Sequence, residues 1–88
     1  MKIEFLSRFK KDVRNINENK VRSDIESVIS NCKSAADISE INNLSKISGY
    51  KNAYRIRKGD YRVGVYITGD TVEFVRVLHR KDIYKKFP

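Results

Sequence analysis

Hydrophobic and polar positions change period once along this chain, near residue 53, and the change separates a helical half from a stranded half. At the start, Ile3 and Phe5 alternate with Lys2 and Glu4, which predicts a short strand. Ser7 then reads as a helix N-cap, and Phe9, Val13 and Ile16 recur at helical spacing until the polar run from Asn15 to Asn19 ends the helix. Val21, Ile25, Val28, Ile29 and Cys32 come next, at i, i+4, i+7, i+8 and i+11. That spacing gathers them on one stripe of a second helix, with Arg22, Asp24, Glu26 and Lys33 facing water. Cys32 on such a stripe behaves as a small buried hydrophobe. Asp37 is placed to cap a short turn through Ile38 and Ile41, after which residues 42–49 read as a loop anchored by Leu44 and Ile47.

From Ala53 onward the period is two. Strands are predicted over 53–58, 60–67 and 71–79, joined at Gly59 with Asp60 and at Gly69 with Asp70. Glycine at the first loop position suits a two-residue type II′ hairpin turn. The tail, 80–88, is basic and short, with room for one turn of helix. The expected architecture is α+β: an N-terminal strand, two helices, then a three-stranded antiparallel meander, forming one sheet with the helices packed on one face. Residues 1–88 are read as a single domain.

Two-residue loops fix a register. Lys58 then faces Tyr61, Arg57 faces Arg62, Ile56 faces Val63, Arg55 faces Gly64 and Tyr54 faces Val65. This collects Tyr54, Ile56, Val63, Val65 and Ile67 on one face and Arg55, Arg57, Arg62 and Tyr66 on the other. Carried across the second loop, the same rule sets Val72 opposite Ile67 and Phe74 opposite Val65. It also places Val77 beside Arg62, puts His79 on the basic face, and leaves Arg76 on the apolar face opposite Val63, where it must snorkel or meet a helix acid. The helices are expected to cover the apolar face and leave the basic one open. Arg57 directly across from Arg62 is a like-charge pair that costs stability. A phosphate backbone would repay it, because guanidinium groups meet phosphate oxygens bidentately and an aromatic ring can stack a base. The alternative is an ordinary solvated sheet face.

Charge points the same way. Nineteen Lys and Arg against eleven Asp and Glu give a formal net charge of +8, which favours polyanions: RNA, DNA, an acidic protein or an anionic membrane surface. Solubility by itself asks for a magnitude of only about 2 to 8, which leaves a merely well-solvated surface as the lesser alternative. One cysteine and one histidine rule out an internal disulfide and an ordinary zinc site, and neither a metal nor a cofactor is expected. No apolar run approaches the roughly 20 residues of a membrane span and the N-terminus has no signal-peptide core, so a cytoplasmic location is expected.

The segment Tyr54-Arg55-Ile56-Arg57-Lys58-Gly59-Asp60-Tyr61-Arg62-Val63, together with Val75-Arg76-Val77-Leu78-His79-Arg80-Lys81-Asp82-Ile83-Tyr84 further along, resembles the RelE branch of the RelE/ParE toxin superfamily. The resemblance implies a toxin of a type II toxin-antitoxin pair that enters the ribosomal A site and cuts mRNA without a metal. The 2′-hydroxyl would attack the adjacent phosphate, leaving a 2′,3′-cyclic phosphate. Arg62 matches the family's phosphate arginine, Arg80 its second arginine and Tyr84 its C-terminal tyrosine. Some members carry lysine where this chain has Arg55 and Arg57; guanidinium groups hold their protons near neutral pH, so proton transfer is assigned to Tyr84, with His79 the alternative. Arg55, Arg57, Lys58, Tyr66 and Lys81 are the expected RNA contacts. The expected partners are a cognate antitoxin and mRNA on the ribosome, with no membrane. Two other functions share these residues: a ParE-like gyrase inhibitor, and an RNA-binding relative without activity.

Overall fold

The computed structural model describes all residues, 1–88. Strand β1 (Lys2–Phe5) leads into helices α1 (Ser7–Arg14) and α2 (Asn19–Ser34) and a single 3-10 turn (Ile38–Glu40). Strands β2 (Leu44–Lys46), β3 (Ala53–Lys58), β4 (Tyr61–Thr68) and β5 (Thr71–His79) come after it, and a one-turn helix α3 (Ile83–Lys86) closes the chain. The sheet order is β1-β5-β4-β3-β2, with β1 parallel to β5 and the other pairs antiparallel. The expected α+β layout with helices on one face is what the chain adopts, with one more strand and a short helix. No helix is long and apolar enough to cross a membrane.

The apolar stripes explain the packing. Phe9 of α1 and Ile25, Val28 and Cys32 of α2 bury against Ile56, Val63, Val65, Val72, Phe74 and Val77 of the sheet. Phe5, Phe9 and Phe74 form an aromatic trio with centroids 5.3–5.7 Å apart, a spacing at which tilted rings attract. Asp37 caps the 3-10 turn as its position predicts, accepting from the Ser39 amide at 2.9 Å. Ser7 does not cap α1: Leu6 holds that position without a side-chain bond. Strand β2 lies inside the stretch read as loop, since three residues are too few to show a period; it pairs Leu44 with Ile56 and Lys46 with Tyr54. Gly59 and Gly69 take positive φ, +57° and +59°, which an L side chain adopts only with strain.

The β3–β4 register is as predicted from Tyr54 to Lys58, and Val72 and Phe74 do face Ile67 and Val65. Beyond that point the prediction fails by one residue. Val65 pairs with Phe74 but Gly64 pairs with Arg76, so Val75 is an inserted β-bulge residue. An extra residue reverses the parity of the rest of the strand. Val77 is therefore buried opposite Val63, not beside Arg62; Leu78 takes the place across from Arg62; and Arg76 faces Gly64, not Val63. Arg76 does meet a helix acid. Asp12 of α1 accepts from its Nε at 2.8 Å and its Nη2 at 3.0 Å, and from the Val77 amide at 3.0 Å. This carboxylate satisfies the edge of β5 where β1 has ended. Its hydrogen bond, ahead of Coulomb attraction, holds the Arg76 pKa above the ordinary arginine value against the opposing cost of burial.

Both side chains of the pair are only 10 % exposed, so losing one partner strands a charge. Asp12→Ala is expected to cost about 3 kcal/mol, read as a lower midpoint in urea unfolding; Lys20→Ala, which removes the exposed Lys20–Asp24 pair, should change stability by less than about 1 kcal/mol. Burial pushes the Cys32 thiol from 9.0 up to about 11, the nearby N-terminal charge acting the other way. A raised folded pKa means that this contribution is whole below pH 9.0 and drains as pH climbs toward about 11. Native protein at pH 8 should resist thiol alkylation that urea-unfolded protein undergoes readily; equal rates would contradict the burial.

Candidate nucleic-acid interface

The sheet face opposite α1 and α2 is only partly open. Ile83 and Phe87 of the tail are buried on it with Ile47 and Ala53, packed against Tyr66, Val75 and Leu78. The bulge supplies part of that floor, because it turns Leu78 to this side, and Ala53 and Gly64 leave it low. The expectation of an uncovered face is thus corrected: an apolar patch of its own draws the tail down over its middle.

What stays open beside α3 is a groove of about 380 Å³ lined by Asn43, Leu44, Ser45, Arg55, Arg57, Arg62 and Tyr84. No carboxylate lines it. Arg57 and Arg62 are direct cross-strand partners, and Ser45 lies opposite Arg55 on the other side. Arg62 is held low, its Nη1 donating to the carbonyls of Gly59 and Tyr61, both at 2.9 Å. Arg55 stacks on the Tyr84 ring with its Cζ 4.3 Å from the centroid, a cation–π geometry. Tyr84 itself is 65 % exposed. Its phenol is therefore presented to solvent at the groove wall, next to three guanidinium groups.

The other predicted residues fall in different places. Arg80 lies past β5 at the turn that Arg62 also grips: its amide donates to the Asp60 carbonyl at 2.7 Å, and its Nε stands 4.0 Å from the Asp60 carboxylate. That pair is exposed on both sides and binds weakly, so Arg80 is free to turn toward a ligand. Lys81 is exposed on the next turn, where its amide donates to His79 Nδ1 at 3.2 Å. His79 is not on the basic face. The bulge sets it opposite Tyr61, edge-on to that ring at 5.7 Å, and Tyr61 packs against the helix-side core. Lys58 is also opposite Tyr61, and it lines a small cleft with Ser27 and Asn31 of α2 that shares Asn43 and Arg57 with the groove. Tyr66 shares the arginine face but packs its ring on Phe87, centroids 5.3 Å apart, leaving Tyr84 as the aromatic group of the groove. Asn43 and Ser45 were not legible as site residues. Their only signal is Asn43 itself, a residue type that tolerates the left-handed conformation it adopts at φ +60°.

Comparison with known proteins places the chain by its sequence and its fold. Residues 3–84 match the model of the ParE toxin of type II toxin-antitoxin systems, parDE. Toxin RelE3 of Methanocaldococcus jannaschii is 42 % identical over 89 residues, covering 100 % of both chains. The toxin-antitoxin complex RelB-RelE from Methanococcus jannaschii contains a chain that superposes with a TM-score of 0.81 at 40 % identity, covering 97 % of this chain and 99 % of that one. The archaeal RelE-RelB complex from Pyrococcus horikoshii OT3 shares the fold at a TM-score of 0.72 and 16 % identity, over 90 % and 93 % of the two chains. With its length matched almost throughout and its sheet and helices shared with a solved relative, the chain belongs to the ParE/RelE family of type II toxins.

Proposed function

We propose that the chain inhibits translation as a ribosome-dependent, metal-independent mRNA endoribonuclease, and that an antitoxin protein neutralises it. The observation that carries this reading is the groove: three guanidinium groups and a presented phenol, with no carboxylate among the lining residues. An RNA strand would lay its phosphates against Arg55, Arg57 and Arg62, whose charge stabilises the oxygens of the phosphorane. The neighbouring 2′-oxygen bonds to phosphorus as the bond to the 5′-oxygen breaks, leaving a 2′,3′-cyclic phosphate and a 5′-hydroxyl. Guanidinium groups keep their protons. Proton transfer therefore falls to Tyr84, which takes the 2′-hydroxyl proton as it passes its own to the departing 5′-oxygen. His79 has no part, since it lies on the other side of the sheet. Arg80 and Lys81, exposed beyond the strand end, would extend the cationic track, and Asn43 and Ser45, which line the groove, would meet ribose hydroxyls. The solved RelB-RelE complexes of similar chains support an antitoxin partner, whose acidic surface would cover the groove or displace the tail.

A second reading is favoured by the family model, whose description is that of the ParE toxin: growth arrest through a protein target, DNA gyrase, without RNA cleavage. Mapping mRNA 5′ ends in cells separates the two. Wild type should create new ends, and Arg62→Ala and Tyr84→Phe should each lower cleavage about a hundredfold. Growth arrest with DNA damage signalling and no new ends would sink the nuclease.

The Arg57–Arg62 pair makes function and stability pull apart. Arg57→Gln should raise stability by a few tenths of a kcal/mol, through relief of cross-strand repulsion. It should also weaken RNA binding and reduce the slope of log affinity against log salt by about 0.7. Denaturation and salt-titrated binding read the two signs; a variant that loses stability and keeps its salt slope would contradict the site.

A further inference from the structure

Helix α3 is one turn long, four residues, and a helix that short has no stability of its own. Where Tyr84 sits must come from what anchors the helix. Ile83 and Phe87 are buried, at 0 % and 4 % exposure, while Tyr84 between them is 65 % exposed. Four residues apart, the two anchors share a side and turn Tyr84 outward. A single anchor would leave the turn free to pivot; two fix its rotation.

The second anchor depends on a missing side chain. A Cβ built on Gly64 would come within 2.5 Å, 2.6 Å and 2.9 Å of three carbons of the Phe87 ring, contacts that no real pair of atoms makes. Gly64 is in the middle of β4 at negative φ, so no turn requires glycine there. Interior strand glycine costs about 0.5–1 kcal/mol. The same residue is the direct cross-strand partner of Arg55, whose guanidinium stacks on the Tyr84 ring. Beneath the groove, then, one empty position seats the ring that orients the tail, beside the arginine that the tail's tyrosine must meet. Tyr66 closes the seat from the side.

We infer that Phe87 is the positioning residue of Tyr84: its ring fills the space left by Gly64 and so holds the phenol against Arg55 at the groove wall. The inference rests on the reading of Tyr84 as the proton-transfer group, and goes beyond it by assigning why that group is in place.

The test uses the full chain with Phe87→Ala, Gly64→Ala and the conservative Phe87→Leu. Two readouts are taken. Nuclear Overhauser contacts between the Tyr84 ring and the Arg55 side chain report geometry with no activity required; cleavage of ribosome-bound mRNA reports kcat and KM. Phe87→Ala and Gly64→Ala should keep cooperative unfolding, lose the contacts and lower kcat about a hundredfold with KM unchanged. Phe87→Leu should recover most of the rate. In a Tyr84→Phe background Phe87→Ala should add no further loss, because residues acting through one group are not additive. Persistence of the contacts in both Phe87→Ala and Gly64→Ala overturns the inference, and so does an additive loss in the Tyr84→Phe background. If wild type cuts nothing, the nuclease reading falls while the Overhauser contacts still decide whether Phe87 places Tyr84.

Discussion

Asp12 closes three hydrogen bonds along the free edge of β5, two from Arg76 and one from the Val77 amide, and the bulge it grips sets the facing of every later residue. Without the inserted Val75, His79 would stand among the arginines and Leu78 would point into the helices. With it, Val77 completes the main core and Leu78 joins Val75 on the opposite face. The pair also explains how one strand can leave β1 behind without an unsatisfied edge, since an unpaired backbone donor is costly where water is scarce.

The second consequence is a division of labour between two apolar surfaces. One lies under α1 and α2 and carries most of the core; the other is a small patch of Ile47, Ala53, Val75 and Leu78 that holds Ile83 and Phe87. The tail is therefore both a cover and a wall. It hides the middle of the face and leaves Arg55, Arg57 and Arg62 open at its side. A short segment held by few contacts is at the low-stability end of any fold, which suits the proposed function, in which this surface would accept an RNA strand and be silenced by an antitoxin.

The groove itself works against folding. Facing arginines repel by a few tenths of a kcal/mol to about 1 kcal/mol, and no carboxylate in the groove offsets them. Arg62 turns its guanidinium into two backbone carbonyls and Arg55 lies on an aromatic ring. These contacts spread the charges while leaving donors for phosphate oxygens. The net positive charge alone is compatible with many polyanions; a ring beside the guanidinium groups is what the proposed reading as an RNA site adds to it.

Local chemistry was enough for much of this. The helical stripe from Val21 to Cys32, the Asp37 cap, the two Gly-Asp turns and the β3–β4 register, with Arg57 facing Arg62, were all written in spacing, because each depends on residues close together in the chain or on a loop of fixed length. The similarity of the motifs around Arg62 and Tyr84 to the family was likewise legible in the residues themselves. Three things were decided elsewhere. The bulge at Val75 exists because an acid on α1, more than 60 residues away in sequence, meets Arg76 at the strand edge; β2 forms because β3 offers it an edge; and the tail lies on the sheet because Ala53 and Gly64 leave it room. Each is a contact between distant segments, and a pattern of hydrophobic positions carries no record of which distant segment will arrive.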